Sequence, residues 1–230
     1  DVYKRSLEIK EKILESNHED IAVSLNNLGV LYRELGLYRQ AESLHLRGLE
    51  INEKVLGTDH LETARNLSNL GCVYFELSEY QKGIPLLKRS LEIRETKLPP
   101  EHPDIGMTLC NLANLYIRMG DYQKALSLHE KSLKINEKAL GSDNFLVANS
   151  LNNIAHIYKK INDYKKAESL LKRSLKINKK IFGTDNPRVA LILNNLAGIY
   201  CATGKYKRAI PLYKKCLEIM KNLFSSSEFK

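Results

Sequence analysis

Aligned on itself at a step of 42 residues, the chain repeats without insertion: Leu25 meets Leu67, Leu109, Leu151 and Leu193. Asn27, Asn69, Asn111, Asn153 and Asn195 fall in register, as do Tyr32, Tyr74, Tyr116, Tyr158 and Tyr200. The words SLNNLGVLY at 24–32 and SLNNIAHIY at 150–158 show how close the copies are. A period of this length means a solenoid or an array, so fold and function have to be argued per repeat.

Within one repeat, Leu67, Leu70, Val73, Tyr74 and Leu77 recur at helical spacing, Ser78-Glu79 interrupts, and Ile84, Leu87, Leu91 and Ile93 resume. Each unit is therefore two amphipathic helices joined by a turn, which carries Gly36, Gly120 and Gly204 in three copies and Ser78 or Asn162 in the others. Gly57, Gly141 and Gly183 suit the left-handed residue that closes a helix. His102-Pro103 and Asn186-Pro187 read as an N-cap followed by proline at the first helical position. Gly29, Gly71, Ala113, Ala155 and Ala197 in first helices, and Ala41, Gly83, Ala125, Ala167 and Ala209 in second helices, mark close helix approach.

The pattern L-x-N-L-G/A-x-x-Y, then G-x-Y-x-x-A, resembles the tetratricopeptide repeat, and the 42-residue unit with its GTDH-type link is similar to the kinesin light chain and nephrocystin subclass. Matching text includes LNNL at 25–28, EINEKVLGTDH at 50–60 and EHPDI at 101–105. The resemblance implies an all-α, right-handed superhelical solenoid of antiparallel helix pairs. Five pairs are expected at about 21–56, 63–98, 105–140, 147–182 and 189–224, one array over 15–224. Residues 1–14 align with 43–56 and are expected to be the second helix of a truncated preceding repeat, so that the chain is read as a fragment of a larger protein; 225–230 are read as a tail.

The 230 residues, 43% hydrophobic and 27% charged, carry enough apolar material for a packed core. No apolar run is long enough to span a membrane, and an intracellular, cytoplasmic protein is expected. Cys72, Cys110, Cys201 and Cys216 form no CxxC pair and share no spacing with histidines, which argues against zinc; no cofactor is expected. His18, His60 and His102 recur in loops as an echo of the repeat. The net charge of +9 is unevenly divided: residues 1–121 hold 15 Lys+Arg against 19 Asp+Glu, and residues 122–230 hold 21 against 8. That asymmetry points to an acidic partner for the second half.

By resemblance, ligands lie along a concave groove lined by first helices. The helical face centred on the residue at 26 and its equivalents offers Asn26, Val30 and Arg33, then Arg65 and Phe75, then Met107, Asn114, Ile117 and Arg118. It continues with Asn149, Asn152, His156 and Lys159, and ends with Asn194. Val30, Phe75, Met107 and Ile117 read as an apolar middle, followed by a basic, amide-rich stretch from Arg118 to Lys160. An extended protein segment with an aromatic anchor beside acidic residues suits this face. The resemblance implies a cargo-type peptide adaptor; the alternatives are a sensor array of a nucleotide-hydrolysing switch and a basic surface for RNA or acidic proteins. The carboxylate clamp of another branch of the family is not expected, since only Asn114 matches among Val30, Cys72, Asn114, His156 and Gly198. The fivefold asparagine has two readings, a bond to the neighbouring helix or ligand contact from the rim, and its identity in every unit favours the first. Lys165, Lys166, Lys172, Arg173, Lys176, Lys179 and Lys180 form a stripe, read first as a solvated outer face; no aromatics interleave with it, and nucleic acid is not the expected partner. No nucleophile and base stand at catalytic spacing, and the chain is not expected to be an enzyme.

Overall fold

The computed structural model describes residues 2–227, in which there are eleven α-helices and no strand. They fall into two compact units, 1–121 and 122–230. The first contains α1 (Val2–Ile13), α2 (Glu19–Glu34), α3 (Tyr38–Val55), α4 (Leu61–Glu76), α5 (Tyr80–Lys97) and α6 (Pro103–Arg118). The second contains α7 (Tyr122–Leu140), α8 (Phe145–Lys160), α9 (Tyr164–Phe182), α10 (Pro187–Ala202) and α11 (Tyr206–Ser227). Of the tail at 225–230, residues 228–230 lie outside the described residues. Consecutive helices pack on each other within each unit, and in the first unit α4 also touches both α2 and α6.

Every link uses the same local chemistry. The imidazole Nδ1 atoms of His18, His60 and His102 each accept from the backbone N–H two residues on, at 3.2 Å. Asn144 and Asn186 do the same with their amide oxygens at 2.9 Å. The loop histidines are thus N-caps, satisfying one of the donors a helix start leaves open. At the hairpin turns the N–H of Leu37, Glu79, Asp121, Asp163 and Lys205 reaches back to the carbonyl of Tyr32, Tyr74, Tyr116, Tyr158 and Tyr200, at 2.8–2.9 Å. That closure needs a left-handed residue just before it. Gly36, Gly120 and Gly204 supply it at φ 71–80°, while Ser78 (60°) and Asn162 (63°) adopt it at some steric cost. α5 ends differently: Pro99 stands where α3, α7 and α9 are followed by Gly57, Gly141 and Gly183, and Leu98 before it is extended (φ −115°, ψ 156°).

The core runs between the helices as a row of small clusters. Leu25, Leu67 and Leu151 are fully buried, with Ile51, Ile93 and Ile177 packed in the same clusters. The small first-helix residues sit where a second-helix side chain presses on the backbone: a Cβ on Gly71 would lie 2.7 Å from Leu87, and one on Gly29 2.7 Å from His45. His45 is completely buried. The Asn66 amide donates to its Nδ1 at 3.1 Å while accepting from Leu49 N–H, and Nε2 has no partner. Burial pulls the His45 pKa down to about 4. His129 is equally buried, neither ring nitrogen has a partner among the described residues, and burial lowers its pKa to about 4 as well.

Second helices are joined across their outer faces by an ion-pair ladder at a sequence separation of 36: Arg47–Glu11, Arg89–Glu53 and Arg173–Glu137. The ladder ends where Lys179 replaces the glutamate, and Lys215 turns instead to Asp185 (3.0 Å) and Glu218 (3.1 Å). Within the lysine stripe, Lys166, Lys172, Arg173 and Lys180 bond Asp163, Glu168, Glu137 and Asp143. Lys165, Lys176 and Lys179 are exposed.

Candidate peptide-binding surface

In the first unit, first helices α2, α4 and α6 line two adjoining cavities of about 440 and 460 Å³. The first collects Asn26, Val30, Arg33, Arg65 and Met107 from the expected face, together with Ser68, Asn69, Cys72, Arg94, Asp104 and Asn111. The second collects Arg33, Phe75 and Asn114, with Glu34, Tyr38, Cys72, Glu76, Leu87 and Asn111. Arg33, Cys72 and Asn111 belong to both. Ile117 and Arg118 line neither cavity. Arg118 lies over the rings of Phe75 and Tyr80, at 5.7 and 5.8 Å, and donates from Nε to the Tyr80 hydroxyl at 3.0 Å. Val30 and Met107 share their wall with the guanidinium groups of Arg33, Arg65 and Arg94, and Phe75 lines its cavity with Arg33 and lies under Arg118, a more polar setting than an apolar middle.

Two of the five repeated asparagines tie neighbouring first helices together. Asn69 donates to the amide oxygen of Asn26 at 2.9 Å, tying α4 to α2, and Asn195 donates to Asn152 at 3.0 Å, tying α10 to α8. Asn26 is 5% exposed and holds this bond from the cavity wall. Where Ser68 replaces the asparagine at the face centre, Asn111 makes no equivalent bond among the described residues, and its amide lines both cavities.

In the second unit, Asn149, His156 and Asn194 are exposed, and Asn152 and Lys159 are half-buried. The Lys159 ammonium occupies the space above Gly198, 3.2 Å from where a Cβ would stand. His156, though exposed, has its pKa lowered by partial desolvation and by Lys160 and Lys159. Cys72 has its thiol pKa raised by burial against the opposing pull of Arg33, so it is no activated nucleophile.

Reading first helices alone overlooks Arg94 and Tyr38, which reach the cavities from second helices α5 and α3. The available signal was a break in the repeat: Arg94 stands where Asn52, Asn136 and Asn178 stand elsewhere. Asp104, at the start of α6, carried no such mark.

Stacked helix hairpins whose variable first-helix positions line solvent-open cavities are the architecture of a helical repeat scaffold. The tetratricopeptide repeat family model matches residues 1–54, 34–96, 104–180 and 166–222, and the chain belongs to that family. No curated protein sequence matches it. Among solved structures, a Podosopora anserina protein named for kinesin light chain, with nearly identical TPR-like repeats, is similar at TM-score 0.77 and 24% identity. The match covers 92% of this chain and 99% of that one. BtubC (BKLC) from P. vanneervenii is similar at TM-score 0.82 and 20% identity over 96% of this chain and 89% of its own. A Rap protein complexed with Competence and Sporulation Factor aligns at TM-score 0.74 and 19% identity, over 94% of this chain and 58% of that one. These likenesses establish the all-α repeat solenoid. Among the described residues no helix is long and apolar enough to cross a membrane.

Proposed function

We propose that the chain is a peptide-binding scaffold: an extended segment of a partner protein lies along the first helices and is held by the side chains in which the repeats differ. The tetratricopeptide fold supports a protein–protein interaction scaffold, and the observation that carries the finer reading is the pair of adjoining cavities on α2, α4 and α6. Amides at Asn111 and Asn114 suit a peptide backbone, since each can donate and accept. Phe75 and Met107, flanked by arginines, suit an aromatic or aliphatic anchor. In the second unit Asn149, Asn152, His156, Lys159 and Asn194 suit acidic residues, with Lys159 as a cation that has no carboxylate partner among the described residues. The role is adaptor-like, linking a partner's linear segment to other proteins, in an intracellular setting.

The test is fluorescence anisotropy of a short labelled acidic peptide with one tryptophan, against its tryptophan-to-alanine twin, at low and physiological salt. Binding that needs the tryptophan and survives salt supports the groove. Loss of both peptides at physiological salt leaves only diffuse attraction to the basic second unit and removes the reading.

A further inference from the structure

Arg94 is an anomaly within the array. It is 4% exposed, and its guanidinium donates to the Asp104 carbonyl at 3.0 Å and to the Thr108 hydroxyl. In the preceding repeat Asn52 meets the matching carbonyl, that of Glu62, at 3.5 Å with a neutral amide. Contact with the next helix therefore does not require a charge, yet this repeat buries one. Among the described residues no carboxylate oxygen lies within ion-pairing distance of Arg94; burial is the largest influence on it and disfavours its charged form, Asp104 pulls the other way from beyond pairing distance, and Arg65 adds to the effect of burial. A buried cation without a counter-ion is costly, and in a cavity wall it is a mark of an absent anion.

Two more guanidiniums reach the same cavity from different helices. Arg33, on α2, has the Cys72 thiol as its side-chain partner. Arg65, on α4, bonds Glu62 at 2.6 Å through one terminal nitrogen, and its Nε is buried without a partner. Of the opposing charges, Glu62 is taken up by Arg65, Asp104 stands in the cavity wall with its side chain 45% exposed to water, and Glu34 and Glu76 line the adjoining cavity.

We infer that the first cavity is a socket for an oxyanion side chain of the bound peptide, a phosphate monoester or a carboxylate, with Arg94 at its base and Arg33 and Arg65 beside it. This rests on the peptide reading above and adds to it a charged socket in the part of the face that reads as apolar from sequence. Planar guanidiniums arriving from three helices present paired N–H donors to an oxyanion, which an amide at position 94 could not. The shared walls with the second cavity let a chain pass from one to the other, so the oxyanion belongs to a longer ligand.

The experiment immobilises the whole chain at physiological salt and offers it three libraries of short random peptides, with phosphoserine, glutamate or serine fixed at the centre. The phosphoserine or the glutamate library is retained roughly tenfold or more above the serine library, and whichever is retained names the source. Arg94→Asn, which installs the residue of three sister repeats, abolishes the preference, and so does Arg33→Gln, which decides the matter should the first variant fail to fold. Arg173→Gln, on the outer face, leaves it intact. Equal retention of all three libraries, or a preference that persists in a folded Arg94→Asn protein, overturns the socket while sparing the groove. Retention of none overturns both.

Discussion

The two units hold their positive charge in opposite ways. The second has the greater share of it, but its lysines project from α9 and α11 into solvent, and several are already answered by carboxylates one turn or one helix away. The first unit is net acidic, yet it places Arg33, Arg65 and Arg94 around one cavity and buries the last. Net charge counts the tips of long, hydrated side chains, whereas recognition depends on the few that are desolvated and aimed. Composition alone directs attention to the half of the molecule where cations are most numerous and individually weakest.

The largest expected effect tests whether the units share a weakness beneath this difference. Each has a buried neutral histidine, His45 in the first and His129 in the second, with a folded pKa of about 4 against 6.5 in the free state. Below pH 6.5 the unfolded chain takes up protons that the folded one refuses, so stability complete above that pH is lost as pH falls toward 4. The loss is about 2–3 kcal/mol per histidine by pH 4.5. Urea melts at pH 7.5 and 4.5 should show it. His45→Leu and His129→Leu, which copy Leu87 and Leu171 at the same repeat position, should each remove one share, and an unchanged pH dependence in the double variant would refute the assignment.

Packing comes next. Ala167→Leu should overfill the α8–α9 contact in the second unit and cost about 1–3 kcal/mol, read as a lower denaturation midpoint with the fold otherwise retained. Next in size, Asn152→Ala should cost about 1 kcal/mol, because it strands the Asn195 amide, and should weaken peptide binding as well. Lys159→Ala should weaken binding with no change in melting. If both lower stability equally, Lys159 is part of the scaffold and the second unit loses its proposed role. Smallest is Arg173→Ala on the outer ladder, worth under about 1 kcal/mol and fading with salt; a larger, salt-resistant loss would show that outer-face cations are structural.

Much of the architecture is legible without coordinates because it is repeated: one helix–turn–helix pattern, read five times, averages out the exceptions. The cap at His102 could be named from the proline that follows it, and the turn at Gly36 from residue type alone, since few residues adopt a left-handed conformation there. Ser78 and Asn162 were legible only through their register with those glycines. The cavities were not legible, for a physical reason. A helical wheel ranks positions by direction, while Arg94 enters from the other helix of the hairpin by the length of its side chain. Asn26 points as the wheel says, yet a neighbouring amide had already taken its oxygen.

That neighbour relation has a consequence for how such an array changes its tastes. Asn69 is held by Asn26 and Asn195 by Asn152, so that Asn69 meets the first cavity with its amide already bonded, whereas Asn111, after Ser68, lines both cavities with no such bond among the described residues. The residue at the centre of one hairpin thus decides whether the next hairpin's asparagine is mortar or fingertip. Specificity can be rewritten one repeat away from the altered codon, with the ligand-facing side chain itself untouched.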